Sequence, residues 1–196
     1  MEFKYYFCSM HFLLNKPYGY LSQFIYAKKR NKKLLGELYP FPPGTMAIGR
    51  LDEDSEGLLL LTTDGMMSHR ILSKKVSKEY YAQVDGIITQ EAVSQLQTGV
   101  EIGVKGTKYI TLPCKAKLLE TPTHFPERGK KIRDERHGPT SWVSITVTEG
   151  KFRQVRKMTS VVGFPTLRLI RVRVGDWHLN DLPFGGVIEV ASLVKE

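Results

Sequence analysis

Gly49 to Gly65 reads G-R-L-D-E-D-S-E-G-L-L-L-L-T-T-D-G and decides how the rest of the chain is understood. An acidic turn with Asp52, Asp54 and Glu56 lies between Arg50 and the run Leu58 to Leu61. A short apolar run bounded by turn residues reads as a strand buried on both faces. A carboxylate held on a short turn beside such a rigid element is a common way to position a reacting group.

Other readings of the turn are weaker. Asp52, Asp54, Glu56 and Gly57 fit the first half of a calcium-binding EF-hand loop. The second half fails, because its ninth position is Leu60 and its twelfth, which must supply a bidentate carboxylate, is Thr63. Paired carboxylates for sugar chemistry must face each other across a cleft. The sequence neighbours Asp52 and Asp54 cannot show that spacing. Glu53 and Asp54 read best as acids that solvate the turn, and Asp52 as the functional one.

Composition narrows the partner. The 196 residues are 41% hydrophobic and 25% charged, as in an ordinary globular protein with one substantial core or two small subdomains. Lys and Arg outnumber Asp and Glu by 29 to 20, for a net charge of +9. Such an excess suits a polyanion. Its distribution is more telling: Lys151, Arg153, Arg156, Lys157, Arg168, Arg171 and Arg173 lie between Gly150 and Gly175 with no acid among them. A second cluster is Lys28, Lys29, Arg30, Lys32 and Lys33. Both read as phosphate-tracking surfaces or as solvated faces. No stretch joins a long apolar face to a basic one, so RNA is preferred to an anionic membrane.

Cys8 and Cys114 are far apart and form no C-x-x-C, so neither a disulfide framework nor a zinc ribbon is expected. The five histidines, His11, His69, His124, His137 and His178, lack metal-ligand spacing. No metal is predicted, and the expected compartment is the reducing cytoplasm. Phe3 to Leu14 is apolar but interrupted by Lys4 and His11, with no small-residue cleavage site after it. It reads as a first strand rather than a leader.

The expected order is strand, helix, strand, strand, helix, strand, helix, strand, loop, strand, helix, strand, strand. Strands are predicted at Phe7 to Asn15, Met46 to Leu51, Lys78 to Val84, Trp142 to Thr148, Thr166 to Val174 and Val187 to Val190. Helices are predicted at Leu34 to Tyr39, stopped by Pro40, Pro42 and Pro43, and at Met67 to Ser73. Thr89 is the predicted N-cap of a helix through Gln97, closed by Gly99, with Val93, Leu96 and Val100 facing the core. Phe152 to Val162 is the last helix, with Arg153, Arg156 and Lys157 together on one face. Thr121 to Thr140, rich in proline, glycine and cations, reads as a long loop that is either a tolerated insertion or an RNA contact. Strands and helices mixed with short connections indicate an α+β fold.

Several of these segments resemble the motifs of ribosomal RNA pseudouridine synthases of the small-subunit synthase A family and its large-subunit relatives. G-R-L-D at Gly49 to Asp52 is similar to the motif whose aspartate is the nucleophile. Lys78, Glu79 and Tyr80 resemble K-x-Y, whose tyrosine stacks on the target base. E-G-K-F-R-Q-V-R-K-M at Glu149 to Met158 is similar to the motif whose arginine after Gln-Val pairs with the aspartate. L-L-N-K-P at Leu13 to Pro17 and G-F-P-T-L-R-L-I-R at Gly163 to Arg171 extend the likeness over most of the chain. Two positions depart: Thr63 stands where relatives have Asn, and Lys151-Phe152 where they have an Arg- or Lys-Asn pair.

The resemblance implies a mixed or antiparallel sheet running through two α/β subdomains of a single catalytic domain, residues 1–196, with the active cleft between them. With no room for a separate S4-type domain, the large-subunit synthase E type is the most similar. The implied substrate is a uridine of ribosomal RNA, 23S or a large-subunit assembly intermediate, met by a monomer with no membrane partner. The implied catalytic set is Asp52, Tyr80 and Arg156. Arg156 would keep Asp52 ionised and oriented, since an opposite charge at contact distance favours the charged form. Arg50, Lys78, Lys151, Arg153, Lys157, Arg168 and Arg171 are the expected RNA contacts. Moving a base from N1 to C5 changes no composition, so no cofactor is expected. The alternative is a basic RNA-binding or ribosome-assembly module without chemistry.

Overall fold

The computed structural model describes residues 9–26, 31–73, 76–125, 128, 130–132 and 135–194. The chain opens with β1 (His11–Lys16), the short pair β2 (Tyr20–Leu21) and β3 (Lys33–Leu34), then β4 (Met46–Ile48) and β5 (Glu56–Thr62). Next come α1 (Gly65–Ser73), β6 (Lys78–Asp85), α2 (Gln90–Thr98) and the strands β7 (Glu101–Val104), β8 (Thr107–Ile110) and β9 (Lys115–Leu119). After the long loop follow β10 (Thr140–Val147), α3 (Gln154–Val161), β11 (Thr166–Val174), β12 (Trp177–His178) and β13 (Val187–Val190).

A nine-stranded mixed sheet runs β13-β1-β5-β11-β6-β10-β9, with β4 on β5 and β12 on β11, and makes the fold α+β. All seven residues of β5 are buried, as expected of a strand covered on both faces. Its centre strand contact is the one parallel pairing of this sheet: Ile170 and Arg171 of β11 lie beside Glu56 and Gly57. β11 then pairs antiparallel with β6, so two strands distant in sequence bring the acidic turn beside Tyr80.

Apolar packing falls on either side of this sheet. Ala82, Val84, Val143 and Ile145 of β6 and β10 pack with Val93 and Leu96 of α2 and Met158 of α3. Leu13, Leu58, Leu60 and Ile170 form a second core with Ile71 of α1 and Trp142, and Phe12, Leu14, Leu59 and Leu61 a third. Thr89 caps α2 by accepting from the Ala92 amide at 3.3 Å, and Gly99 ends it at φ +99°. No helix among the described residues is long and apolar enough to cross a membrane.

Four expectations are corrected. Leu34 to Tyr39 forms only a 3-10 turn, Leu35–Glu37. Three prolines leave too few residues to propagate an α-helix. The Met46 strand stops at Ile48, because Gly49 turns the chain at φ +74°. The last helix starts at Gln154, two residues late, because Arg153 sits at φ +52°. The single strand expected before the long loop is three, β7 to β9. Phe7, Cys8 and Lys28 to Arg30 lie outside the described residues.

Candidate active site

The turn ahead of β5 is anchored at several points. Ser22 Oγ donates to the Leu51 carbonyl at 2.8 Å and accepts from the Leu51 amide at 3.0 Å. The Ser55 amide donates to the Asp52 carbonyl at 3.1 Å, and the Gly19 amide to the Glu53 carbonyl at 2.8 Å. Beyond it, Gly57 adopts φ +103° with its Cα against β11, where a Cβ would lie 2.3 Å from the Arg171 carbonyl oxygen. Only glycine allows both the dihedral and the approach.

This turn forms one wall of a cleft of about 890 Å³ lined by Arg50, Asp52, Lys78, Tyr80, Lys151, Phe152, Arg153 and Arg171, among others. The volume suits one flipped nucleoside with its neighbours outside. Asp52 is partly exposed to it, with its side chain 29% accessible.

The cation on Asp52 is not the expected one. Arg153 Nη1 lies 3.4 Å from Asp52 Oδ2, while the same guanidinium binds Asp54 in a bidentate pair at 3.0 and 2.8 Å. Arg156 donates instead to the Asp54 backbone carbonyl at 2.8 Å, to Ser55 Oγ at 3.3 Å and to the Thr166 carbonyl at 3.3 Å. Arg156 therefore braces the turn from behind, and Arg153 faces the cleft. The left-handed backbone of Arg153 explains the exchange, since a residue continuing the helix backward would project elsewhere.

Asp54 is more than a solvated turn residue. Burial is the largest single influence and would raise its carboxyl, but the hydrogen bonds from Arg153 and the charges of Arg156 and Arg153 together hold it below the usual range. The Arg153 guanidinium is correspondingly raised by its bond to Asp54. Glu53 pairs with Lys32 at 2.7 Å across partly exposed surface.

Tyr80 on β6 is half-buried, reaches the cleft and makes no hydrogen bond among the described residues. Its strand neighbour across the sheet is Arg171. Lys78 lies further along the same strand and lines the cleft, with burial and Arg171 lowering its ammonium from the ordinary value. Arg50 is exposed at the rim. Lys151 is exposed with its ammonium 4.4 Å from the Tyr109 ring centroid, and Lys157 Nζ donates to the Gly103 carbonyl at 2.6 Å.

Two expected RNA contacts point inward. Arg168 is buried and binds Glu56 through Nε and Nη2, the latter at 2.8 Å. Arg171 is buried too, donating to the Leu58 carbonyl at 2.8 Å, although it still lines the cleft. β11 is buried between β5 and β6, so its arginines serve carboxylates and carbonyls rather than phosphates. Arg128 of the long loop also turns inward, 3.8 Å from Glu56 and with its guanidinium 3.9 Å from the Tyr18 ring centroid.

Glu56, read only as part of the acidic turn, and Lys16, not singled out at all, are fully buried charges next to the turn. Lys16 is fully buried and donates to the Pro17 and Tyr20 carbonyls at 2.9 and 2.8 Å. Burial pushes its ammonium down to about 8, against the attraction of Glu56, Asp54, Asp52 and Glu53. The only signal for either was a charge inside an apolar run, Lys16 after Leu13-Leu14 and Glu56 before Leu58.

Asp52 with Arg153 beside it, and Tyr80, whose side chain makes no hydrogen bond among the described residues, thus line one cleft, with Arg156 behind the turn rather than on Asp52. The family model described as RNA pseudouridylate synthase matches residues 10–161. The chain belongs to that family. It is 46% identical over 176 residues to a ribosomal large subunit pseudouridine synthase E of Xanthomonas campestris pv. campestris, covering 88% of this chain and 91% of that one. To the synthase E of Xanthomonas axonopodis pv. citri it is 42% identical over 172 residues, 87% and 88% of the two chains. A solved pseudouridylate synthase superposes with a TM-score of 0.73 at 26% identity, over 93% of this chain and 70% of that one. As an RNA pseudouridine synthase the protein is an isomerase, and its cleft must accept a nucleotide drawn out of its stack.

Proposed function

We propose that this protein converts a uridine of large-subunit, 23S ribosomal RNA to pseudouridine, as a synthase of the E type, with Asp52 as nucleophile. The observation that carries the reading is the Asp52–Arg153 pair in the same cleft as Tyr80. The relatives bear large-subunit names, which favours this substrate over the small-subunit grouping that the motifs also suggested.

The chemistry follows from the groups at hand. The flipped uracil stacks on Tyr80, which offsets part of the unstacking cost, about 1–3 kcal/mol per base. Asp52 attacks either C1′ of the ribose or C6 of the ring, and the N1–C1′ bond breaks. The freed base turns so that C5 faces C1′, and the C5–C1′ bond forms as the carboxylate leaves. C5 gives up its proton, and N1 takes one, so the product has the composition of the substrate. Tyr80, whose hydroxyl makes no hydrogen bond among the described residues, or a water, receives the C5 proton. Arg153 orients the attacking carboxylate, while Arg156 fixes the backbone from which it projects.

Arg50, Lys78, Lys151 and Lys157 then act on the RNA backbone around the cleft. One catalytic domain, working as a monomer in the cytoplasm where ribosomes assemble, accounts for all of these roles. A module that only bound phosphates would gain nothing from a carboxylate in its basic groove.

The test uses large-subunit RNA labelled with tritium at uracil C5. Wild-type protein releases tritium and Asp52→Asn releases none, while still binding the RNA. Normal release by Asp52→Asn rejects the nucleophile. If Asp52→Ala tightens RNA binding and no pseudouridine forms with wild type, the binding-module reading replaces this one.

A further inference from the structure

An aromatic side chain at the mouth of the cleft is left largely in water. Phe152 is 63% exposed, although it lines the cleft. Among the described residues the other phenylalanines are buried or half-buried: Phe12 is fully buried and packs edge-on against Phe41, which meets Phe24 in the same way. Leaving an aromatic ring in water forgoes the burial that normally decides its place.

The backbone that carries the ring is tied down. The Lys151 amide donates to Gln154 Oε1 at 3.0 Å, and Gln154 Nε2 donates to Glu149 Oε1 at 2.6 Å. Glu149 Oε1 accepts in addition from the Leu112 amide at 2.9 Å. The turn from Glu149 to Gln154 is thus tied both to α3 and to the chain leaving β8. Its exposed phenyl group is presented by a brace.

Cations flank it. Lys157 Nζ lies 5.3 Å from the Phe152 ring centroid, tethered to the Gly103 carbonyl on β7. Lys151 precedes the ring in sequence, and Arg153, the partner of Asp52, follows it. An exposed aromatic face with the Lys157 ammonium beside it, and the Lys151 ammonium close by over the Tyr109 ring, matches an unpaired base with its phosphates. An apolar protein partner would meet those charges with nothing to pair them.

We propose that Phe152 is the stacking platform for an unpaired base adjoining the flipped uridine, with Lys151 and Lys157 on the neighbouring phosphates. The proposal rests on the synthase reading, because drawing one nucleotide from a stack bares the face of the next. Phe152 covers that face. It lies one residue from Arg153, so the same turn holds the neighbouring base and carries the arginine beside the attacking carboxylate.

The probe is a fluorescein-labelled uridine dodecamer, followed by anisotropy. Phe152→Ala raises its Kd about tenfold, Phe152→Trp restores it, and Phe152→Leu, apolar but unable to stack, does not. The salt dependence of Kd stays unchanged in Phe152→Ala and loses about one phosphate contact in Lys157→Ala. On C5-labelled large-subunit RNA, Phe152→Ala raises KM with kcat little altered. The platform is overturned if Phe152→Leu binds the dodecamer as tightly as wild type, or if Phe152→Ala keeps the wild-type Kd. Dodecamer binding needs no turnover. A wild-type protein that forms no pseudouridine therefore defeats the enzymatic reading separately from this one.

Discussion

Arg153 shows how one backbone angle reassigns a side chain. Its φ of +52° places the guanidinium between Asp54, in a bidentate pair, and Asp52 at 3.4 Å. Arg153→Lys keeps the charge but loses the fork that holds two carboxylates together. Single-turnover tritium release should fall about 10²-fold in Arg153→Lys and no less in Arg153→Ala, as expected of a misplaced reacting group. Wild-type rates for Arg153→Lys would show that the Asp52 contact is incidental. Arg156, legible in the motif, remains a residue of the site, but its bonds go to Asp54 and Ser55. Helical spacing could not reveal the exchange, because it assumes the right-handed conformation that Arg153 does not adopt.

The Glu56–Arg168 pair belongs to the same scale. Both side chains are buried, and removing Arg168 takes away the cation hydrogen-bonded to Glu56 and leaves it Arg128 at 3.8 Å, which puts the cost toward the lower end of about 3–5 kcal/mol. Arg168→Ala should lower the unfolding free energy measured in urea by that amount. A loss under 1 kcal/mol would mean that water reaches the site. The sequence put Arg168 in a run of cations and suggested phosphate contact. Which of those cations point inward depends on β11 being buried on both sides, and no local pattern carries that.

At the level of elements, β5 and β11 meet through a glycine. Gly57→Ala must change φ from +103° and displace the Arg171 carbonyl, against which a Cβ would stand at 2.3 Å. Strain of this kind costs about 1–3 kcal/mol for the dihedral alone, and the clash adds to it. A fall of about 3 kcal/mol in unfolding free energy is expected, with the m-value unchanged. Tritium release should fall further than stability explains, because the acidic turn is hinged on this contact. An alanine variant as stable as wild type would mean that the strands separate freely there. The leucine run of β5 was legible because both faces are buried, and α2 because Thr89 and Gly99 mark its ends. The Leu34 helix was misread because its few apolar residues precede prolines that never let a second turn form.

The pairing of β11 parallel to β5 and antiparallel to β6 joins segments far apart in the chain, which periodicity does not encode; the motifs carried the fold instead. That sheet order has a consequence for the whole molecule, because it closes over the ammonium of Lys16. The group is fully buried on two carbonyls beneath the acidic turn, and burial lowers its pKa to about 8 from an ordinary 10.5. Below pH 8 the folded and unfolded chains both hold the proton, and the native state bears the cost of burying the charge. Between pH 8 and 10.5 the unfolded chain binds more protons than the native one, so this group's contribution to stability rises with pH. The rise amounts to at most about 3 kcal/mol, at 1.36 kcal/mol per pKa unit. Lys16→Met removes the titrating group, and with it two hydrogen bonds whose loss does not depend on pH. The difference in unfolding free energy between wild type and Lys16→Met, measured in urea from pH 7 to 10.5, should therefore climb above pH 8 in favour of wild type. A difference that stays flat across that range would place the native pKa of Lys16 at its unfolded value and remove the buried ammonium as the cause.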